Sequence, residues 1–270
     1  MKAWVLVDNI PQPNLPGEWG LSIYIEYNGT NVLLDTGASR LFLKNAQKLG
    51  KSIEAVDYGV LSHAHYDHAD GMRAFFQENL RAPFYLQQGS GENCYKKKWL
   101  LRKYIGLPRG ILKEYEERMV FTRGNHTLCP GVHLLSHSTQ GLERIGQKNH
   151  MYIRTKNGWA PDNFSHEQSL VFETEKGLVI FNSCSHGGAD NIIREVKEAW
   201  PRESIRALIG GFHIYSWTKE EVRGLARRIL ETGIQEIYTG HCTGSRSFEI
   251  LQEELEGRAH QLKTGLEMEL

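Results

Sequence analysis

Residues 58–68 read YGVLSHAHYDH: a short apolar run, Tyr58 to Leu61, passes through Ser62 straight into His63, His65, Asp67 and His68. A strand delivers its chemistry at its end, where the chain turns into a loop. Here four potential metal ligands fall within six residues at such a turn. They cannot all face one ion comfortably, so two would face one ion and two the next. Imidazole and carboxylate together suit Zn²⁺, with Fe or Mn as alternatives. The plain reading is a polar loop with solvated histidines, and four ligand types in this order directly after a strand argue against it.

Working outward, three later histidines end apolar runs in the same way. LVIFNSCSH closes on His186, IRALIGGFH on His213 and EIYTGH on His241. Strand ends in one sheet layer converge on a common edge. His186 and His241 are therefore expected to complete sites begun by the first loop. His213 is divided between a ligand and a substrate-facing acid. Any one of these alone could equally be a histidine bonded within its own loop.

The rest of the chain reads as α/β layers. WVLVD (residues 4–8) is a strand, and LSIYIEYNGTNVLLDTG (21–37) is a hairpin about Asn28-Gly29. Ser39 caps a helix running to Gly50, and AFFQENL (74–80) is helical. QSLVFETEKGLVIFNS (168–183) is a second hairpin. It is followed by alternating helices and strands, with Thr218 and Glu221 forming a capping box. The apolar stripe Val222, Leu225, Ala226, Ile229, Leu230 is ordinary core packing. Two segments break this rhythm. Residues 138–167 are polar and are expected to form a long surface loop. Between Tyr95 and Lys113 stand seven basic residues and no acidic one, interleaved with Trp99, Leu100 and Leu101. This is expected to be an inserted helical segment, about residues 88–120, in a single domain spanning 1–270. Its charges read first as a solvated face with the apolar residues packed inward. The other reading folds Lys97, Arg102 and Arg109 over the site to bind phosphate.

Composition sets the outer bounds. Lys plus Arg and Asp plus Glu each total 32, so the net charge is zero, which disfavours a polybasic nucleic-acid binder. No apolar run approaches the roughly 18 residues that span a bilayer, and a membrane is not expected as a partner. The N-terminal run is broken at once by Asp8 and three prolines, a poor signal peptide. Four cysteines without a Cys-x-x-Cys pair argue against a disulfide framework and for a reducing cytoplasm. No Gly-x-Ser-x-Gly elbow is present to suggest a serine hydrolase. Oligomeric state is left open.

HAHYDH resembles the H-x-H-x-D-H signature of the metallo-β-lactamase superfamily. LLDTG (33–37) is similar to that family's strand-end aspartate, here Asp35, which supports the metal loop from behind. NSCSHGGADNI (182–192), LIGGFH (208–213) and YTGHCTG (238–244) together resemble the dihydropterin-ribofuranosylaminobenzene-phosphate synthase-like branch. The resemblance spans about residues 20–250. It implies an αββα sandwich, two facing mixed sheets with helices outside, around a dinuclear site. His63 and His65 would hold the first metal with a third histidine, His186, or its rival His166. Asp67 and His68 would hold the second with His241. The family's bridging aspartate is missing from Asn182–His186, so the second site is expected to bind more weakly. Cys184 is either a soft ligand or a buried small residue, the latter being the commoner fate of a free cysteine.

Two divalent ions, Zn²⁺ by preference, would acidify a water to a pKa of about 7 and polarise the substrate. Asp67 would orient that water, and His213 would protonate the leaving group. The expected function is hydrolysis of a small-molecule ester, lactone or phosphoester. The alternative is a metal-dependent synthase or transferase acting on a pterin or phosphoribosyl-aminobenzene substrate. A metal-binding protein without catalysis is the third class, and six plausible ligands argue against it.

Overall fold

Ala3 and Val5 face one apolar cluster while Trp4 and Leu6 face another, and Val179 and Phe181 part from Leu178 and Ile180 in the same way. Side chains alternate across a strand, so these continuous apolar runs report strands covered on both faces. The computed structural model describes residues 1–270 and shows what covers them. One seven-stranded sheet has the spatial order Glu267–Glu269, Lys2–Val7, Ser22–Tyr27, Thr30–Leu34, Tyr58–Val60, Phe84–Gln87, Met119–Thr122. The second runs Ala259–Gln261, Glu236–Thr239, Ile205–Ile209, Gly177–Phe181, Gln168–Thr174, Val132–Ser136, His126–Cys129. Both mix parallel and antiparallel pairs.

The sheets meet through Val5, Ile23, Val32 and Leu34 on one side and Leu170, Phe172, Val179 and Phe181 on the other. Helices Leu41–Lys48 and Met72–Glu78 cover the outer face of the first sheet through Phe42, Phe75 and Phe76. Helices Ala189–Ala199, Lys219–Glu231 and Ser245–Glu254 cover the second through Ile192, Ile229 and Leu251. The layers are therefore αββα, as expected. The Asn28-Gly29 hairpin forms, with φ of 47° and 78° at those residues. The capping box closes as well: Thr218 Oγ1 accepts from the Glu221 N–H at 3.3 Å, and Glu221 accepts from the Thr218 N–H at 2.9 Å. No helix is long and apolar enough to cross a membrane.

Two expectations are corrected. The basic segment is not one helical insertion: Cys94–Lys98 and Leu101–Tyr104 form an antiparallel hairpin turning at Trp99-Leu100, followed by a one-turn helix, Ile111–Glu114, and a 3-10 turn, Glu116–Arg118. Residues 138–167 are not one long loop. They form the helix Glu143–Lys148 and the strands Met151–Thr155 and Gly158–Pro161, which complete a four-stranded sheet with the basic hairpin. The two misreadings share one cause. Strand Cys94–Lys98 is stabilised by pairing with Met151–Thr155, so neither segment shows its state until the other is in place.

The parallel pairs decide where chemistry collects. Thr30–Leu34 runs parallel to Tyr58–Val60, and Gly177–Phe181, Ile205–Ile209 and Glu236–Thr239 run parallel to one another. Their carboxyl ends deliver Asp35, His63, Cys184, His186, His213 and His241 to one edge of the sandwich.

Candidate metal centre

Four non-glycine residues at these strand ends lie in the left-handed region: Asp35 (φ 58°), Ser185 (47°), His213 (50°) and His241 (45°). A non-glycine residue is held there only when its surroundings over-determine it. The strained turns redirect each chain end inward as soon as its strand stops.

His63, His65 and His186 form one group. Their ring centroids are separated by 4.6, 5.0 and 4.9 Å. All three are buried, and His63 Nε2, His65 Nε2 and both nitrogens of His186 lack any hydrogen-bond partner. Leaving a buried polar atom unpaired costs about 1–3 kcal/mol. One nitrogen from each of the three rings converges on a common space, which fits a bound cation. Burial and the neighbouring imidazoles push His63 and His186 well below the usual histidine range. Burial, with His166 beside it, pushes His65 down to about 3. All three are thus neutral, the form in which imidazole binds a metal.

His68, His241, Asp67 and Cys184 form the second group. His68 Nε2 lies 3.2 Å from His241 Nε2 and 3.3 Å from Cys184 Sγ, and Asp67 Oδ2 lies 3.5 Å from His241 Nε2. For Zn–N bonds of about 2.0–2.1 Å, the edge of a coordination tetrahedron is about 3.3 Å. The donors therefore already stand at ligand-to-ligand spacing. Burial would raise the Asp67 pKa, but His68 and a hydrogen bond from His241 overcome it and hold the carboxyl below its ordinary range. Burial opposes charge on His241, and Cys242, Asp67 and Asp8 outweigh it to lift its pKa to about 9.

Behind the donors stands a layer that orients them. Asp35 Oδ2 meets His68 Nδ1 at 2.7 Å and accepts from Ser62 Oγ at 2.6 Å, and Ser62 in turn meets His63 Nδ1 at 2.9 Å. His166 stands beside His65, with ring centroids 5.3 Å apart, but both its nitrogens are engaged elsewhere. Its Nδ1 accepts from the Ala64 N–H at 3.1 Å and its Nε2 meets Asp162 at 3.1 Å, so it braces the loop. His213 does reach the site: its ring lies 4.5 Å from that of His186 and its Nδ1 is buried without a partner.

Sequence reasoning missed several supports. Glu167 accepts from the His186 and Gly187 N–H groups at 2.9 and 3.0 Å and pairs with His137 at 2.6 Å; His137 also pairs with Glu195 at 2.9 Å. Asp8 accepts from the His241 N–H, and Asn9 Oδ1 meets His241 Nδ1, each at 3.0 Å. Cys242, whose place directly after His241 allows either a supporting thiol or plain packing, was not missed, and its Sγ lies 3.3 Å from Cys184 Sγ. Asp8, at the very end of the first strand, was the one that position could have signalled.

A cleft of about 390 Å³ opens above the donors, and Lys96, Lys97, Lys98 and Lys103 stand in its wall with Trp19, Tyr66, Ile105 and Tyr215. The basic hairpin thus folds over the site. Of the three cations singled out from the sequence, only Lys97 lines the cleft. Arg102 stacks 4.4 Å from the Trp159 ring and Arg109 4.1 Å from that of Tyr104. Trp99, Leu100 and Leu101, expected to pack inward, point into solvent.

Residues 19–148 match the profile of the metallo-beta-lactamase superfamily. The structure superimposes on Tm1679, a metal-dependent hydrolase of the beta-lactamase superfamily, with a TM-score of 0.84 and 27% identity, covering 100% of this chain and 99% of that one. The protein carries a metallo-β-lactamase superfamily domain. It is an enzyme of that fold. It is also 28% identical to the 7,8-dihydropterin-6-methyl-4-(beta-D-ribofuranosyl)-aminobenzene-5'-phosphate synthase of Methanocaldococcus jannaschii, over 98% of this chain and 95% of that protein. Zn(2+)-bound PqqB from Methylobacterium extorquens shares the fold, with a TM-score of 0.57 and 14% identity over the whole of both chains.

Proposed function

We propose that the protein is a metal-dependent hydrolase of a small anionic ester, lactone or phosphoester, working with two divalent ions, preferentially Zn²⁺. One observation carries this reading: unpartnered neutral imidazoles and a carboxylate–imidazole–thiol group share one floor beneath a lysine-walled cleft. In this reading His63, His65 and His186 hold the first ion, and Asp67, His68 and His241 hold the second with Cys184. Imidazole with thiolate selects zinc over the oxygen-preferring Mg²⁺ and Ca²⁺. Bound ions supply an acidified water and a Lewis acid for the scissile carbonyl or phosphoryl oxygen.

The chain's own groups do the rest. Asp67 keeps its charge and receives a hydrogen bond from the attacking water while ligating. His213, through its free Nδ1, gives a proton to the leaving oxygen. The lysines attract and orient the anionic end of the substrate, and Trp19 and Tyr215 cover its apolar part. The free thiols at the site suit a reducing compartment, which we take to be the cytoplasm.

The second reading is a synthase acting on a phosphoribosyl-aminobenzene or pterin substrate. The near full-length similarity to the Methanocaldococcus jannaschii synthase favours it, and a phosphate would suit the same lysines. One experiment separates the two. Protein purified without chelators is assayed for bound metal and incubated with phosphodiester, lactone and thioester substrates in heavy-oxygen water. Hydrolysis labels the product. Turnover without label, or a product joining two substrates, would replace the first reading by the second.

A further inference from the structure

We propose that the tip of the basic hairpin is a docking element for an anionic lipid surface, with Trp99, Leu100 and Leu101 entering the headgroup layer. These three consecutive residues are 90%, 91% and 78% exposed. Solitary exposed apolar residues are ordinary, whereas a contiguous group marks an interaction site. Around them stands a collar of cations. In the hairpin register Lys96 faces Lys103 and Lys97 faces Arg102, like charges directly opposite one another, an arrangement that destabilises an isolated pair of strands. No acidic residue lies between Tyr95 and Lys113 to offset them. The chain's ion pairs form elsewhere, as at Lys51–Glu26, Arg73–Glu114 and Arg228–Asp190.

The backbone supports the same conclusion. A two-residue turn prefers Asn-Gly, yet here Trp99 occupies the left-handed region at φ 59°. The turn keeps a bulky indole at the most projecting point in spite of its strain. Tryptophan and leucine flanked by lysine and arginine is the chemistry that partitions into a bilayer interface and holds anionic headgroups. Lying on a surface is distinct from spanning it, so the lack of a spanning helix does not bear on this. A second copy of the chain fits the tip less well, because tip-to-tip contact would press the two cationic collars together. The base of the hairpin is firmly anchored, since Cys94 is buried and the Tyr95 ring packs 4.8 Å from Trp159 and 5.3 Å from Tyr104. Lys97, Lys98 and His150 line both the cleft over the candidate metal centre and a groove along Trp99, so the tip and the cleft share a wall.

The test is co-sedimentation of the full chain, as purified with its metal, with vesicles of phosphatidylcholine alone and of phosphatidylcholine mixed with phosphatidylserine. Size-exclusion chromatography is run in parallel. Binding is expected to the mixed vesicles only and to fall with added salt. The double variant Trp99→Ser, Leu100→Ser should weaken it by at least about tenfold while metal content and circular dichroism stay unchanged. Arg102→Gln, outside the cleft, should weaken it by about fivefold. No binding to either vesicle, or binding indifferent to the tip variant, overturns the proposal. So does a dimer in solution that the tip variant converts to a monomer, because the tip would then be covered by a second copy.

Discussion

His63, His65 and His186 face one another across 4.6–5.0 Å with Nε2 of the first two and the His186 ring unpartnered, whereas His68, His241, Asp67 and Cys184 already touch at 3.2–3.9 Å. The first group is a neutral trio whose polar atoms have no use for one another. The second contains a carboxylate, a thiol and an imidazole lifted toward the charged form, and these groups satisfy one another directly. A pre-formed but unsatisfied trio binds an ion without first giving up internal bonds. The second group must exchange its own contacts for those to the ion. In the proposed two-ion reading, this gives a physical ground for weaker binding at the second site, beside the missing bridging aspartate.

The largest effects come from breaking either group outright. His63→Ala should empty the first site and Asp67→Ala the second, each abolishing turnover, as read by elemental analysis and by the substrate screen. Wild-type metal content in Asp67→Ala would remove the second site as drawn. The contrast between His186 and His166 is almost as sharp. His186→Ala should lose the first metal. His166→Ala should keep it and instead lower stability by about 1–3 kcal/mol in denaturant unfolding, because buried Asp162 loses one of its hydrogen bonds.

A moderate effect is expected from Asp35→Asn. Weakening the carboxylate behind His68 should reduce metal affinity at the second site by about 10–100-fold in competition with a chelator, with a smaller loss at the first site, which Asp35 reaches only through Ser62 and His63.

A difference in pH response sharpens the comparison further. His65 is held at about 3 in the fold against an ordinary 6.5, so the unfolded chain takes up its proton first. The metal-free protein should therefore lose stability as the pH falls from about 6.5 toward 3. His137 behaves oppositely. Burial disfavours its charge, but Glu167 and Glu195 raise its pKa to about 10. Its contribution is complete below about 6.5 and is lost as the pH climbs toward 10. Thermal unfolding of the metal-free protein and of His137→Gln across this range should show the alkaline slope in the first and a smaller one in the second, where His241, lifted to about 9, still contributes. The smallest effects lie in the cleft wall. Lys97→Ala should raise KM for anionic substrates several-fold, while Arg109→Ala, stacked on Tyr104 away from the cleft, should leave it unchanged.

Much of the architecture could be read from local pattern, because local physics sets it. Asn28-Gly29 demands a tight hairpin, Thr218 and Glu221 close a helix start, and strands such as LVIF announce double-sided burial by their unbroken apolarity. The donors could be read because histidine after an apolar run has few structural reasons to be there. The basic hairpin could not. Its strand state depends on a partner more than fifty residues away in sequence, and its own residues alternate neither as a helix nor as a half-buried strand.

By itself the sequence determined the layered α/β plan, the positions of the ligand-type residues along it and the neutrality of the whole. Those follow from periodicity, turn chemistry and composition, which act within a few residues. Only the tertiary structure decided that His186 turns an unpartnered nitrogen toward His63 and His65 while His166 is tied to Asp162, and that Glu167 and Asp8 brace loops far from them in the chain. It also decided that Lys97 faces the cleft while Arg102 and Arg109 turn to aromatic rings. Those outcomes rest on which buried polar atom finds a partner and which does not, and partners brought together by separate strands leave no mark in any local stretch of sequence.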